Sequence, residues 1–563
     1  MEYPIRNAKE HFEKRRGALE LERSSFISHW KECAQFLAPR RGRFEHTDRN
    51  RGEKQNKSII NSAGGFALKT LSSGMMAGIT SPARPWFKLA THNRDLNDKT
   101  EVRIWLSDVE ALMREIFNSS NLYEVLPILY RELGLFGTSA MSVVEDFEDV
   151  IRVYHHPIGE YSIGMNDRYE VDTFYRLFDM SVGQIVQRFG LSAVGEDTLK
   201  LWNEGNVDAW RPVVHCIEPN DGRDLNLRDS KNKRYRSVYY ELGRIHSTAI
   251  ADLLSERGYD DFPVMVPRWE LTGGDIYGTD CPGMTALGDI KALQIEEKRK
   301  AQAIDKLASP PLKGPSSLRN IPVNSLPGGL TLYDNDQARE GLEPIYQVNP
   351  RIQELMADIQ QVEMRINKAF YADLFLMMAN SDRRQITARE IDERHEEKLL
   401  ALGPVLERLN NSLLDPLIDR TFSIMAKADL LPPIPDELAG MPLKVEYISV
   451  MAMAQKSIGT GAIERTAMFV SQLAAADPSV LDKIDMDQAV DEYTAMLGVD
   501  PRVIRDEEAV AAIRAQRQQM QQMQQAAEMA KTASEAGRNM SQTPVTNDGA
   551  NAERNALQEV LNL

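Results

Sequence analysis

Leu287-Gly288-Asp289-Ile290-Lys291-Ala292-Leu293-Gln294-Ile295-Glu296-Glu297-Lys298, running on to Ala308, is answered by Arg351-Ile352-Gln353-Glu354-Leu355-Met356-Ala357-Asp358-Ile359, running on to Met378. The first stretch reads as a charged helix over 287–308. The second reads as a helix over 351–378, with Ile352, Leu355, Met356, Ile359, Val362, Ile366, Ala369 and Phe370 recurring at spacings of three and four. At 1.5 Å per residue the two would be roughly 30 and 40 Å long. Between them lie Ser309-Pro310-Pro311-Leu312-Lys313-Gly314-Pro315 and Leu326-Pro327-Gly328-Gly329. Their prolines and glycines forbid helix and allow turns and short strands. The unit is therefore helix, small β-containing excursion over 309–350, returning helix.

Upstream, residues 5–38 read as one helix closed by Pro39, followed by the basic loop Arg40-Arg41-Gly42-Arg43. Residues 58–80 read as a helix rich in small residues. Gly64, Gly65, Gly74 and Gly78 would each cost it about 1 kcal/mol against Ala, which points to close backbone approach by packed neighbours. No strand precedes this stretch and no Gly-Lys-Ser/Thr follows, so it is not a phosphate loop. Two helices follow over 100–136, broken at Asn118–Asn121. From 141 to about 270 strands cluster at 141–145, 152–155, 161–163, 171–177 and 236–240, with short helices at 182–189 and 198–202. Strands in clusters, without a helix between each pair, define an α+β block rather than a doubly wound sheet. Downstream, Ala379–Arg384 breaks the chain. Thr387 and Glu390 stand at capping-box spacing, opening a long helix kinked at Pro404 and ending near Lys427. A strand follows at 443–450 and short helices at 451–500. The last segment begins helical, with seven Gln among residues 515–525, and is expected to be disordered from about 532 to 563.

The 563 residues carry 67 Lys/Arg against 83 Asp/Glu, a formal charge of −16. That argues against a simple, strongly basic nucleic-acid binder. Residues 1–60 hold 14 basic against 9 acidic side chains, +5, which leaves −21 for the remainder. Three scattered cysteines, Cys33, Cys216 and Cys281, offer neither a disulfide framework nor zinc-ligand spacing. No apolar run reaches the roughly 18 residues that a membrane span needs. The N-terminus lacks the apolar region of a signal peptide.

The motifs of hydrolases, zinc proteases, Walker A nucleotide binders and EF-hands are missing. His155 and His156 are adjacent and would face opposite sides of a strand, which is poor chelation geometry. No catalytic residue, metal or cofactor is expected.

Asn61-Ser62-Ala63-Gly64-Gly65-Phe66-Ala67-Leu68-Lys69-Thr70-Leu71-Ser72-Ser73-Gly74-Met75-Met76-Ala77-Gly78-Ile79-Thr80-Ser81-Pro82-Ala83-Arg84-Pro85-Trp86-Phe87 resembles the N-terminal region of the head-to-tail connectors, or portal proteins, of short-tailed bacteriophages. Leu135-Phe136-Gly137-Thr138-Ser139-Ala140 resembles them too, as does Ser309-Pro310-Pro311-Leu312 followed by Pro327-Gly328-Gly329. The likeness spans about residues 5–500; the stretch after 500 has no match.

The resemblance implies a mostly helical α+β portal-type fold. Residues 1–286 would form a wing, and 287–308 and 351–378 a two-helix stem around a clip at 309–350. Residues 379–450 would supply a channel loop, a long kinked wing helix and a returning strand, and 451–531 a helical crown. It implies a dodecameric ring at the head-tail vertex of the virion, made in the host cytoplasm. Double-stranded DNA would pass through the ring without sequence-specific contact. A terminase large subunit, a tail adaptor protein, and capsid and scaffolding proteins would be partners, with no membrane. An acidic balance suits a channel that must not trap DNA, because affinity rises with each neutralised phosphate.

On this resemblance Arg383 and Arg384 occupy the channel-loop position, and Lys298, Lys300 and Lys306 lie on the first stem helix. That helix is nearly neutral over 289–306, with five basic against four acidic residues. The plain alternative for its charges is surface pairing, such as Glu296 with Lys300. Lys313, Arg319 and Tyr333 are the clip residues expected to meet partners. The apolar stripe over 351–378 is too wide for the charged partner helix alone, so neighbouring subunits are expected to cover it. Two other readings stay open: a nucleic-acid-processing enzyme with a diverged site, and another ring-forming tail component.

Overall fold

Helix α1 (Ala8–Leu37) runs across the molecule and is tied down along its length. Near its start, Arg15 pairs with Glu218 at 3.2 Å. Further along, Arg23 donates to the carbonyls of Gly159 and Tyr161 at 3.0 and 2.6 Å. Near its end Trp30 is fully buried, its indole N–H donating to Phe136 O at 3.1 Å. The computed structural model describes residues 8–91 except 46 and 49–51, then 99–243, 253–308, 351–380, 402–438, 443–447 and 507–542. It also describes Leu96, residues 312–313 and 343–344, and short pieces between 466 and 490.

Helix α2 (Ala63–Ile79) lies at the centre of the helical layer, packed on α4 (Leu122–Phe136); α3 (Thr100–Ser119) packs on α4 in turn, and the two flank Asn121. The Asn121 side chain explains why the run breaks there. Its amide donates to Val153 O at 2.8 Å and its carbonyl accepts from Val153 N at 2.9 Å. Gly137, at φ +74°, ends α4 in the left-handed region that glycine tolerates.

The α+β expectation holds. Strands β4 (Tyr161–Met165), β5 (Val171–Ser181), β6 (Trp210–Pro219), β7 (Tyr235–Glu241) and β8 (Ser255–Tyr259) form a five-stranded antiparallel sheet in sequence order. Helices α5 (Val182–Phe189) and α6 (Glu196–Asn203) sit between β5 and β6. Strands β2 (Ala140–Asp146), β3 (Val150–His156) and β9 (Val264–Met265) make a smaller sheet in the order β3-β2-β9. Strand β1 (Phe87–Thr91) lies between α2 and α3 in the chain. It pairs antiparallel with the expected C-terminal strand, here β12 (Leu443–Tyr447), Leu89 opposite Val445.

Three expectations need correction. The run over 351–378 is not one helix but two, α8 (Ile352–Ala369) and α9 (Ala372–Asn380). They are separated at Tyr371, whose φ is +52°. The turn keeps Phe370, Leu374 and Phe375 buried, with the Phe375 ring against Gly74. The second correction concerns the long C-terminal helix. It is described over 402–409, passes through a π-turn at Asn410–Leu414, and continues as α10 (Asp415–Lys427). This distortion sits before Pro416; the turn preceding Pro404, where a kink was expected, lies outside the described residues. A proline ring clashes with the carbonyl four residues back and lacks the N–H for it, and a wider turn relieves both. Third, the last helix, α11 (Glu507–Gln542), runs ten residues past the point where disorder was expected. The expected helix start at Thr387, residues 448–465 and 491–506, and residues 543–563 lie outside the described residues.

The excursion at 309–350 contributes strand β10 (Leu312–Lys313), antiparallel to β11 (Glu343–Pro344), between α7 (Leu287–Ala308) and α8. One hydrophobic core links Trp30 on α1 to Leu438, taking in α2, α4, α7, α8, α9 and α10.

Buried carboxylates pin the layers. Glu132 on α4 pairs with Arg41 at 3.1 Å and with His155 at 3.2 Å. Glu160 pairs with Arg43 and Arg176 at 3.0 and 2.9 Å. His156 faces the other way, 2.9 Å from Ser142 Oγ, so the two adjacent histidines serve opposite faces of β3. Burial acts to raise the Glu132 carboxyl, but the His155 and Arg41 charges outweigh it and hold it below its ordinary 4.5. A carboxyl depressed in the fold contributes stability that is complete above that ordinary value and lost as pH falls through the lower folded one. Denaturant unfolding between pH 7 and pH 3 should therefore show stability falling below about pH 4.5. Glu132→Gln should lower stability at pH 7 by about 3–5 kcal/mol, because it leaves the half-buried Arg41 without its carboxylate, and should flatten the acid limb. An unchanged acid slope in the variant would contradict the ion-pair role.

Candidate assembly and DNA-channel surface

Helix α7 is half anchored and half bare. Leu287, Ile290 and Leu293 enter the core, and Ile290 packs where a Cβ on Gly64 would come within 3.1 Å. Gln294 is buried with them. Its carbonyl accepts from the backbone N–H groups of Ile60 and Asn61 at 2.6 and 2.8 Å, and its amide donates to Asn61 O at 2.9 Å. The Asn61 side chain extends the stitch. Its amide donates to Glu297 on α7 at 3.1 Å and to Glu363 on α8 at 2.8 Å, while its carbonyl accepts from Ala63 N at the start of α2. Arg365 on α8 reaches Asp289 on α7 at 3.0 and 3.1 Å, and Lys291 pairs with Glu32 on α1. Two amide side chains thus join α7, α8 and the entry to α2 at one point.

Past that point apolar side chains stand in solvent. Ile295, Ile304 and Leu307 on α7, and Met356 and Met364 on α8, are between 47% and 61% exposed. Ile60, whose amide Gln294 holds, and Phe66 on α2 are exposed as well. Partial burial, with Asp358 next in effect, raises the Glu296 carboxyl above the usual range. Helix α11 is exposed along its described side chains, Met520, Met523 and Met529 among them, and Arg514 pairs with Asp487.

Of the residues singled out from sequence, Lys298 and Lys306 are exposed on α7. Lys300 on the same helix pairs with Glu297, not with Glu296 as its spacing suggested. Lys313 lies on β10, opposite Glu343 in the register. Arg319, Tyr333, Arg383 and Arg384 lie outside the described residues. The residues that sequence reading missed are Gln294 and Asn61. Their signal was available: a lone amide among the apolar positions of α7, and an asparagine two residues before a glycine-rich helix.

Among the described residues no group of three or more His, Cys, Asp or Glu is placed to hold a metal ion, and no helix is long and apolar enough to cross a membrane.

The helical pair α7–α8 stands on a mostly helical α+β body, with the short β10–β11 pair between its two helices. The family model for the bacteriophage head to tail connecting protein matches residues 9–504. The chain belongs to that family. It is 49% identical over 542 residues to the portal protein of Salmonella phage epsilon15, covering 96% of this chain and 97% of that one. It is 46% identical over 500 residues to the probable portal protein of Bordetella phage BPP-1, covering 88% and 89%.

The Gln294 stitch has a measurable consequence. Gln294→Ala orphans two backbone amides at the entry to α2. It should destabilise the chain by about 1–3 kcal/mol in thermal or denaturant unfolding. A change below about 0.5 kcal/mol, the scale of an ordinary surface substitution, would show that the stitch does not hold the helical pair.

Proposed function

We propose that this chain is the portal protein of a short-tailed phage. Identical copies close into a ring, a dodecamer in this family, at the head-tail vertex of the capsid. Double-stranded DNA enters during packaging and leaves at ejection through the central channel. The observation that carries the reading is the near full-length likeness to two phage portal proteins. The exposed apolar half of the α7–α8 pair supports it physically. Such side chains on a lone copy are an unfinished interface, and a ring buries them against the next copy.

The chain's part is mechanical and electrostatic. Lys298 and Lys306, repeated around a ring, offer phosphates a sparse set of cations, and Lys300 is partly neutralised by Glu297. Sparse cations guide a duplex without holding it, since each neutralised phosphate adds to affinity. Arg383 and Arg384 would add a collar of positive charge at the loop after α9. The segment between α7 and α8, with Lys313, Arg319 and Tyr333, would meet the terminase large subunit during packaging and the tail adaptor afterwards. The surrounding body would face capsid and scaffolding proteins. Copies made in the host cytoplasm would become part of the virion at this vertex. The enzyme and other tail-component readings are not favoured by these relatives.

Heads assembled without this chain should contain no genome. Supplying it in trans should restore packaging, and packaging that proceeds without it would refute the reading. Arg383→Ala/Arg384→Ala should leave folding and ring formation unchanged, with stability shifted by under about 0.5 kcal/mol. Packaged or retained DNA should fall, with the deficit relative to wild type largest at low salt and narrowing as salt screens the wild-type phosphate contacts. Wild-type DNA content from intact mutant rings would remove these two arginines from the channel while leaving the portal reading in place.

A further inference from the structure

We propose that the β2–β3 hairpin tip of one copy docks on the β6–β7 loop of the next, an acidic aromatic knob against a basic leucine loop. The proposal rests on the ring reading above and names a contact that helps to close the ring.

The tip is Glu145-Asp146-Phe147-Glu148-Asp149. Asp146 Oδ1 accepts from Glu148 N at 2.8 Å and Asp149 N at 3.2 Å, and Asp149 pairs with Arg152 at 3.4 Å. These internal bonds fix the turn and engage Asp146 and Asp149. What remains outward is Phe147, wholly exposed, beside the exposed Glu148. A fixed, bare phenyl ring at the end of a hairpin contributes nothing to this copy's core.

The loop over residues 220–234 is ordered by its own polar side chains. Asp224 accepts from Asn226 N at 2.9 Å, Asp229 from Asn232 N at 2.9 Å, and Asn220 donates to Lys231 O at 2.9 Å. Two of its cations are engaged at home, Lys231 with Glu256 at 3.3 Å and Lys233 with Asp260 at 3.0 Å. Arg223, Arg228 and Arg234 are exposed around Leu225 and Leu227, which are 78% and 53% exposed; Asp221 is exposed as well, and with five basic against three acidic residues over 220–234 the loop stays net basic.

The two features are complementary in charge and both apolar at the centre. Within one copy they do not cover each other, since the phenyl ring and both leucines stay in solvent. A cyclic ring requires a heterologous contact, in which one patch meets a different patch on the neighbour. Both patches are held in shape before they meet, which keeps the ordering cost of association low. Phosphate binding would use the arginines but would leave the leucines bare, so a protein surface with carboxylates around an apolar knob is the better fit. This chain carries such a surface.

The test measures the concentration at which purified full-length chain is half assembled into rings, by mass photometry or sedimentation. Circular dichroism confirms the fold of each variant. Arg223→Glu/Arg228→Glu and Glu148→Arg should each raise that concentration by about tenfold or more, because like charges then face each other. The combined variant should return to within about threefold of wild type, since paired sites are non-additive. Phe147→Ser should weaken assembly without altering its salt dependence. Wild-type assembly by both charge variants, or a combined variant no better than either, overturns the contact while leaving the ring reading intact. Absence of rings from the wild-type chain would overturn the ring reading, and the contact with it.

Discussion

Close approach to helix α2 is the constraint on which the rest of the structure depends. A Cβ on Gly74 would lie 2.1 Å from Phe375 Cγ, one on Gly134 of α4 would lie 2.5 Å from Leu71, and one on Gly64 would lie 3.0 Å from Leu37 and 3.1 Å from Ile290. These contacts involve α9, α4, α1 and α7, elements separated by up to about three hundred residues of chain. Glycine costs a helix roughly 1 kcal/mol at each position. The return is van der Waals contact at backbone distance from several directions at once, in an interior packed as densely as an organic crystal. The α7–α8 pair can stand off the body because its base is gripped here, by Ile290 against Gly64 and by the Gln294–Asn61 stitch.

Charge pins what packing brings together. Glu132, Glu160 and Glu218 are buried carboxylates, each facing at least two basic side chains from different elements. Such groups tolerate burial only when paired, and breaking a pair costs far more than the pair contributes over apolar packing. They therefore favour one arrangement of α1, α4 and the sheets. A rigid body of this kind suits a subunit that must present the same surfaces in every copy of a ring.

Much of this was legible in the sequence. The helix–excursion–helix order, the glycine-rich helix and the clustered strands followed from spacing and composition, and the Asn61–Phe87 stretch pointed to the family. What was missed has physical causes. Strand β8, Ser255-Glu256-Arg257-Gly258-Tyr259, has no apolar alternation; pairing with β7 makes it a strand. The break at Tyr371 carries no proline or glycine and is imposed by burying Phe375 against Gly74. The end of α11 was set too early because small polar residues read as disorder, while Ala533, Glu535, Ala536, Arg538 and Met540 carry helix propensity to Gln542. Of the candidate surface, the lysines of α7 were legible from charge. For the amide stitch beneath them, the sequence marks Gln294 and Asn61 as unusual positions, but their pairing joins residues more than two hundred positions apart, which no local pattern discloses.

The central claim is that the bare half of the α7–α8 pair is completed by neighbouring copies around a channel. A cryo-electron microscopy reconstruction of the purified full-length chain tests this most directly. Closed rings with a central hole are predicted, with Ile295, Ile304 and Met364 buried between adjacent copies. Monomers at every concentration, or rings in which those three side chains remain in solvent, would contradict it.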